Sequence, residues 1–210
     1  MLKLLVVDDH AIVRLGLRQI LESEDPGWHV EEAENGREAL RKIRDAYWDV
    51  VVLDISMPGR NGLEVLKQLR RERSRLPVLI LSMHAEEHYA VRVIRAGASG
   101  YLTKETAMDN LVAAVRALAS GKRFITPSVA ERLAVELGGN YDLVRHQSLS
   151  DREYQVFRLI ASGKTVTDIG HELSLSVKTI STHRARIMKK MNFRNNAELT
   201  HYAIKNALVE

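Results

Sequence analysis

Apolar residues in the first 120 positions fall into two alternating patterns. Short unbroken runs occur at Leu2–Val7, Val50–Leu53, Val78–Leu81 and Gly100–Leu102. They are rich in Val, Ile and Leu, as parallel strands buried on both faces are. A weaker strand is predicted over His29–Ala33. Between the runs, apolar residues return at helical spacing: Val13, Leu17, Ile20 and Leu21; then Leu63, Leu66 and Leu69; then Leu111, Val115 and Leu118. The alternation predicts an α/β domain, a doubly wound five-stranded parallel sheet with helices between its strands.

After Gly121 the strand pattern stops. Pro127 to Leu137 reads as a helix with proline in its first turn, ended by Gly138, Gly139 and Asn140. From Ser150 onward everything reads as short helices. Ser150 and Glu153 have capping-box spacing, and Thr165 and Asp168 repeat the device. Ser176 can cap a third helix, and Asn195 or Asn196 a fourth. The expected organisation is an α/β domain over 1–120, a linker with a helix over 121–147, and a small all-α domain over 148–210.

Charge sharpens the division. Residues 1–120 hold 17 Lys and Arg against 18 Asp and Glu; residues 121–210 hold 14 against 9. Residues 176–194 carry Lys178, Arg184, Arg186, Lys189, Lys190 and Arg194 with no acidic residue. A near-neutral module is thus followed by one suited to a polyanion. The absence of cysteine excludes disulfides, thiolate metal sites and cysteine nucleophiles. No apolar run approaches the ~20 residues that span a bilayer. These features predict a cytoplasmic protein with no membrane partner.

The informative polar residues sit at strand ends. Asp8 and Asp9 follow the first strand, Asp54 the third and Ser82 the fourth; Lys104 lies just beyond the fifth. In an open parallel sheet the carboxyl ends of the strands share one crevice, so these distant positions converge. Clustered carboxylates repel, and a divalent cation such as Mg²⁺, which takes hard oxygen ligands, relieves that repulsion. An aspartate can attack phosphorus to give an acyl phosphate, and Lys104 and Ser82 can meet the phosphoryl oxygens.

The runs Val6-Val7-Asp8-Asp9-His10, Leu53-Asp54-Ile55-Ser56-Met57-Pro58-Gly59, Leu81-Ser82 and Tyr101-Leu102-Thr103-Lys104 resemble the receiver domain of response regulators. The resemblance spans roughly residues 1–120 and implies a flavodoxin-like fold. It implies phosphorylation on Asp54 and Mg²⁺ held by Asp9, Asp54 and the Ser56 backbone carbonyl, with Asp8 acting mostly through a water. It makes Ser82 and Tyr101 a switch pair, Tyr101 turning inward on phosphorylation, and Lys104 a phosphoryl contact. Glu105 stands where many receivers have proline.

In the second module, Ile180, Ile187, Met188 and Met191 share one face of a helix from about Val177 to Met191. Lys178, Ser181, Thr182, Ala185, Arg186 and Lys189 lie around the other side. Small residues allow approach to base edges and basic ones reach phosphates. With the preceding helix and the Ser174-Leu175-Ser176 turn, this is helix-turn-helix patterning. Leu149 to Glu153, Ile160 to Thr165, Ile169-Gly170 and Ser176 to Arg184 resemble the LuxR-type helix-turn-helix. Joined to the receiver, the chain resembles the NarL/FixJ family of response regulators. Gly170 and Ser181 depart from a common version of the pattern, Gly170 at about 1 kcal/mol of helix propensity relative to Ala.

The resemblance implies a transcription regulator of a two-component system. Its partners would be a sensor histidine kinase, double-stranded DNA with paired half-sites, a second copy of itself when phosphorylated or DNA-bound, and RNA polymerase. Lys178, Thr179, Ser181, Thr182, His183, Arg184, Ala185 and Lys189 are the expected DNA contacts, and Leu199, Tyr202 and Ala203 the expected dimer contact, with core packing as the other reading of that helix. Three alternatives stay open: an aspartate-nucleophile phosphatase, disfavoured by Ser56 where such enzymes carry aspartate; regulation by protein contact alone; and DNA binding that needs no phosphorylation.

Overall fold

The computed structural model describes residues 1–57, 62–83, 86–127, 129–131, 133, 145–206, 208 and 209. The chain divides into two compact units, Met1–Gly138 and Gly139–Glu210. Most of the helix expected over 127–137, its glycine terminator, His84 and much of the loop after Met57 lie outside the described residues.

In the first unit, strands and helices alternate: β1 Lys3–Val7, α1 Ala11–Glu24, β2 His29–Ala33, α2 Gly36–Asp45, β3 Val50–Asp54, α3 Gly62–Glu72, β4 Val78–Ser82, α4 Glu86–Arg95, β5 Gly100–Thr103 and α5 Lys104–Ala119. The sheet is wholly parallel, in the order β2-β1-β3-β4-β5. The apolar runs predicted as strands are its strands, and every residue of β3 and β4 is buried.

Side chains alternate across a pleated strand, so each strand feeds two cores. Leu4, Val6, Val50, Val52, Leu79, Leu81 and Leu102 face α1 and α5, where Leu17, Leu21, Leu111, Val115 and Leu118 close over them. The alternate set, with Leu5, Val7, Val51, Leu53, Ile80 and Tyr101, points the other way and is equally enclosed. The polar residues that end β1, β3 and β4 are thereby delivered to one edge.

The second unit is helical: a 3-10 turn Arg145–Ser148, then α6 Asp151–Ala161, α7 Val166–Glu172, α8 Val177–Met191 and α9 Asn196–Lys205. Ser150 with Glu153, and Thr165 with Asp168, form reciprocal capping boxes. Ser176 caps α8, and Asn195 rather than Asn196 caps α9. The core is Phe157, Ile160, Ile169, Ile180, Ile187, Met191, Leu199 and Ala203. Leu199 and Ala203, the expected dimer contact for which core packing is the other reading, have 0% exposure and pack in this core. Helix α9 presses that face onto α6. Tyr202 is half-buried in an aromatic group with His146, Phe157 and Phe193.

The turn between α7 and α8 is tight for a local reason. Ser174 has φ 52°, and the Leu175 N–H donates to the Gly170 carbonyl at 2.9 Å. A Cβ on Gly170 would stand 2.9 Å from the Leu175 carbonyl oxygen. Glycine, unfavourable for a helix interior, lets the turn close onto it.

Candidate functional site: an acidic pocket and a basic helix

Asp8, just past β1, and Asp54, the last residue of β3, are buried carboxylates, each 1% exposed. Lys104, the first residue of α5, bridges them. Its Nζ donates to Asp8 Oδ2 at 2.6 Å and to Asp54 Oδ2 at 3.0 Å. The Thr103 side chain caps α5 by accepting from the Thr106 N–H, which sets where Lys104 leaves the backbone. The Ser56 N–H donates to Asp54 Oδ1 at 3.1 Å. Beyond the loop, the Gly62 N–H donates to the Ile55 carbonyl at 3.1 Å. A Cβ on Gly62 would lie 2.1 Å from the Asp54 carbonyl oxygen, so only glycine allows α3 to start here.

Burial, more than any neighbour, pushes the Asp54 carboxyl above its ordinary value; Asp8 adds to this and Lys104 opposes it. Burial pulls the Lys104 ammonium down, but Asp54 and Asp8 more than offset it and hold it above its usual value. Asp9 is more open, with a side chain 23% exposed, yet its Oδ1 is buried and accepts no hydrogen bond among the described residues. His10 Nδ1 stands 3.1 Å from that oxygen and 3.3 Å from Asp8 Oδ1. Buried, crowded carboxylates, with an Asp9 oxygen that accepts no hydrogen bond among the described residues, are the donor set that a hard divalent cation satisfies.

Ser82 is fully enclosed at the end of β4, paired with Thr103. Tyr101 also has 0% exposure. Its ring is enclosed in the core beside the sheet. Sequence reasoning missed Arg14, whose guanidinium donates to the Asp8 carbonyl at 2.8 Å and to Glu32 at 3.1 Å. It ties α1 and β2 to the backbone of the pocket; its signal was an arginine one helical turn past His10.

On α8, Lys178, Ser181, Thr182, Ala185, Arg186 and Lys189 are exposed, and Thr179, His183 and Arg184 are half-buried. The Thr179 hydroxyl shares the Ser176 cap at 2.8 Å, and Thr182 Oγ1 donates to the Lys178 carbonyl at 2.9 Å. The Arg184 Nε–H donates to Asn196 Oδ1 at 2.9 Å, fastening α8 to α9. His183 turns toward α6, its Nδ1 buried and accepting no hydrogen bond among the described residues. Burial, with Arg152 and Arg186 nearby, holds its imidazole below the usual value. Lys190, counted with the basic stripe, instead donates to Glu153 Oε2 at 2.6 Å.

A buried carboxylate pair with a lysine at the carboxyl edge of a parallel sheet, in one chain with a helix-turn-helix that exposes a basic face, defines a receiver joined to a DNA-binding domain. Two family models match: the response regulator receiver domain over residues 4–116, and the luxR family of bacterial regulatory proteins over residues 147–203. The chain is 37% identical over 209 residues to the response regulator UvrY of Escherichia coli (strain K12), covering 99% of this chain and 96% of that one. It is 35% identical over 214 residues to the response regulator GacA of Pseudomonas aeruginosa, covering 100% and 99%. RcsB from Salmonella enterica serovar Typhimurium, bound to promoter rprA in the presence of phosphomimetic BeF3⁻, superposes with TM-score 0.62 at 29% identity, covering 96% and 98%. A structure of two RcsB dimers bound to two parallel DNAs superposes with TM-score 0.59 at 29% identity, covering 96% and 97%. The chain belongs to the NarL/FixJ family of response regulators, transcription regulators of two-component systems with a receiver and a LuxR-type DNA-binding domain. Among the described residues no helix is long and apolar enough to cross a membrane.

Proposed function

We infer that Asp54 is the phosphoacceptor, and that a sensor histidine kinase supplies the phosphoryl group. A carboxylate oxygen of Asp54 attacks the phosphorus of a phosphohistidine. An O–P bond forms, the P–N bond breaks, and the imidazole leaves with a proton from solvent. Asp9, Asp54 and the Ser56 carbonyl would hold Mg²⁺, with Asp8 reaching it through a water; when bound, the ion neutralises charge on the phosphoryl oxygens. Lys104 shifts from bridging Asp8 and Asp54 to pairing with the new phosphoryl group, and the Ser82 hydroxyl donates to it. The observation that carries this reading is Asp54 itself, buried at the end of β3 with Lys104 Nζ 3.0 Å away. Ile12 and Leu15, exposed apolar side chains of α1 just past the acidic pair, suit a kinase contact.

The receiver, residues 1–120, regulates the DNA-binding domain, residues 148–210, through the linker 121–147, in the cytoplasm where its DNA target lies. The phosphoryl group is gained and slowly lost; there is no turnover of an external substrate. Lys178, Ser181, Thr182, Ala185, Arg186 and Lys189 enter the major groove, while Thr179 and Arg184 brace the helix and reach phosphates from its flanks. His183, half-buried, positions the helix. Homodimers on paired half-sites meet through the exposed face of α9, with Ala197, His201 and Ile204. RcsB, solved as dimers on DNA, supports that assembly; RNA polymerase is the further partner of a bound dimer.

The test treats the protein with a small phosphodonor and Mg²⁺ beside Asp54→Ala, following mass and DNA affinity together. The expected result is one phosphoryl group in the parent alone, with tighter, salt-sensitive DNA binding. Phosphorylation without a change in affinity would sink the coupling and keep the receiver assignment.

A further inference from the structure

Beyond α5 the chain turns back onto the sheet. Gly121 has φ 77°, and the Lys122 N–H donates to the Ala117 carbonyl at 2.9 Å, closing the helix. The next residues run along the outer edge of β5. Phe124 makes a parallel bridge to Gly100. Its N–H donates to the Ser99 carbonyl at 3.0 Å, and its carbonyl accepts from the Tyr101 N–H at 3.3 Å. Its half-buried ring packs on the core beneath α1 and α5. The approach depends on Gly100, where a Cβ would stand 2.9 Å from the Phe124 carbonyl oxygen and 3.0 Å from Leu79 Cδ1. Without this segment β5 would present an open edge.

We propose that residues 123–125 are a docking strand coupled to Tyr101: phosphorylation of Asp54 fastens it to β5 and so fixes where the linker leaves the receiver. The proposal rests on the reading of Asp54, Ser82 and Tyr101 given above. One residue carries both ends of the coupling. The Tyr101 ring is fully enclosed, on the strand whose Thr103 pairs with Ser82, and its backbone N–H points outward to Phe124. A Ser82 drawn toward the phosphoryl group favours the enclosed ring, and the enclosed ring holds β5 where its edge can be paired. Docking and phosphorylation then favour each other by the same factor. A docked strand shortens the free tether to the DNA-binding domain, which changes its reach.

Amide exchange on the full-length protein tests this, with acetyl phosphate and Mg²⁺, and Asp54→Ala as the unphosphorylated control. The Tyr101 and Phe124 amides both donate across the docked edge, and Val52 in the central strand serves as reference. Phosphorylation is expected to slow exchange at Tyr101 and Phe124 about tenfold, and to slow tryptic cleavage after Lys122 and Arg123 in step. Phe124→Ala and Gly100→Ala, at different points of the contact and outside the acidic pocket, should both lose that slowing. Unchanged or faster exchange in a parent phosphorylated on Asp54 overturns the docking strand and leaves the phosphoacceptor reading intact. Slowing that persists in both variants also overturns it. A parent that takes no phosphoryl group overturns the reading of Asp54, and the proposal with it.

Discussion

Asp54 lies at the end of β3 with 1% exposure, and its folded carboxyl is held above the ordinary aspartate value chiefly by burial. A carboxyl raised in the folded state binds its proton more tightly there than in the unfolded chain. Its stability contribution is full below the unfolded value and is lost as pH rises through the folded one. At neutral pH the ionised, buried Asp54 carboxylate therefore weakens the receiver. Asp54→Asn should raise receiver stability by about 1–3 kcal/mol at neutral pH, and the gain should shrink as pH falls to the ordinary aspartate value. Thermal melts of parent and variant across that range check it. Mg²⁺ should act in the same direction on the parent, since a ligand held only by the folded state adds about 2.7 kcal/mol at a hundredfold excess over its Kd. Asp54→Asn should blunt that response.

At the scale of the element, α8 is held by a contact that resembles DNA-binding equipment. Lys190 pairs with Glu153, which is 3% exposed and caps α6 through Ser150. Burial alone would raise the Glu153 carboxyl; Lys190 and the Ser150 cap outweigh it and hold it below the ordinary value. A carboxyl lowered in the folded state adds stability above its unfolded value and loses it as pH falls through the folded one. Lys190→Ala should destabilise the helical domain by about 1–2 kcal/mol, discounted because the lysine is partly exposed, and the variant should lose less stability than the parent on acidification. Lys189→Ala should instead leave stability unchanged and reduce the salt slope of DNA binding by about 1. The turn before α8 gives a gain: Ser174 adopts φ 52°, which an L residue resists and glycine does not. Ser174→Gly should stabilise the domain by up to about 1 kcal/mol in denaturant melts.

At the scale of the whole molecule, the question is which face of the last helix meets a second copy. Leu199 and Ala203 belong to the core, whereas Ile204 is 56% exposed. Leu199→Ala should cost about 2–5 kcal/mol of stability, as buried leucines do. Ile204→Glu should leave the melting temperature unchanged and weaken binding to paired half-sites while sparing a single half-site. A binding titration on both DNAs, beside a melt, separates the outcomes.

How much was legible follows from what sets each feature. Strand runs, capping boxes and the two-domain division were readable because burial on both faces of a sheet and orphan end amides leave local signatures. Asp8, Asp9, Asp54, Ser82 and Lys104 were readable as a set because a parallel sheet sends every strand end to one edge. Local pattern could not say which apolar face of α9 was already taken, because Leu199, Ala203 and Ile204 satisfy the same helical spacing. Nor could it show that Lys190 serves Glu153 across 37 residues, or that Tyr101 is enclosed. Gly170 read as a weak helix position until the turn placed the Leu175 carbonyl beside it. The sequence by itself determined the elements, their order and the chemistry brought to the pocket. Tertiary structure alone decided which charges and apolar faces are spent inside, because pairing and burial depend on neighbours distant in the chain.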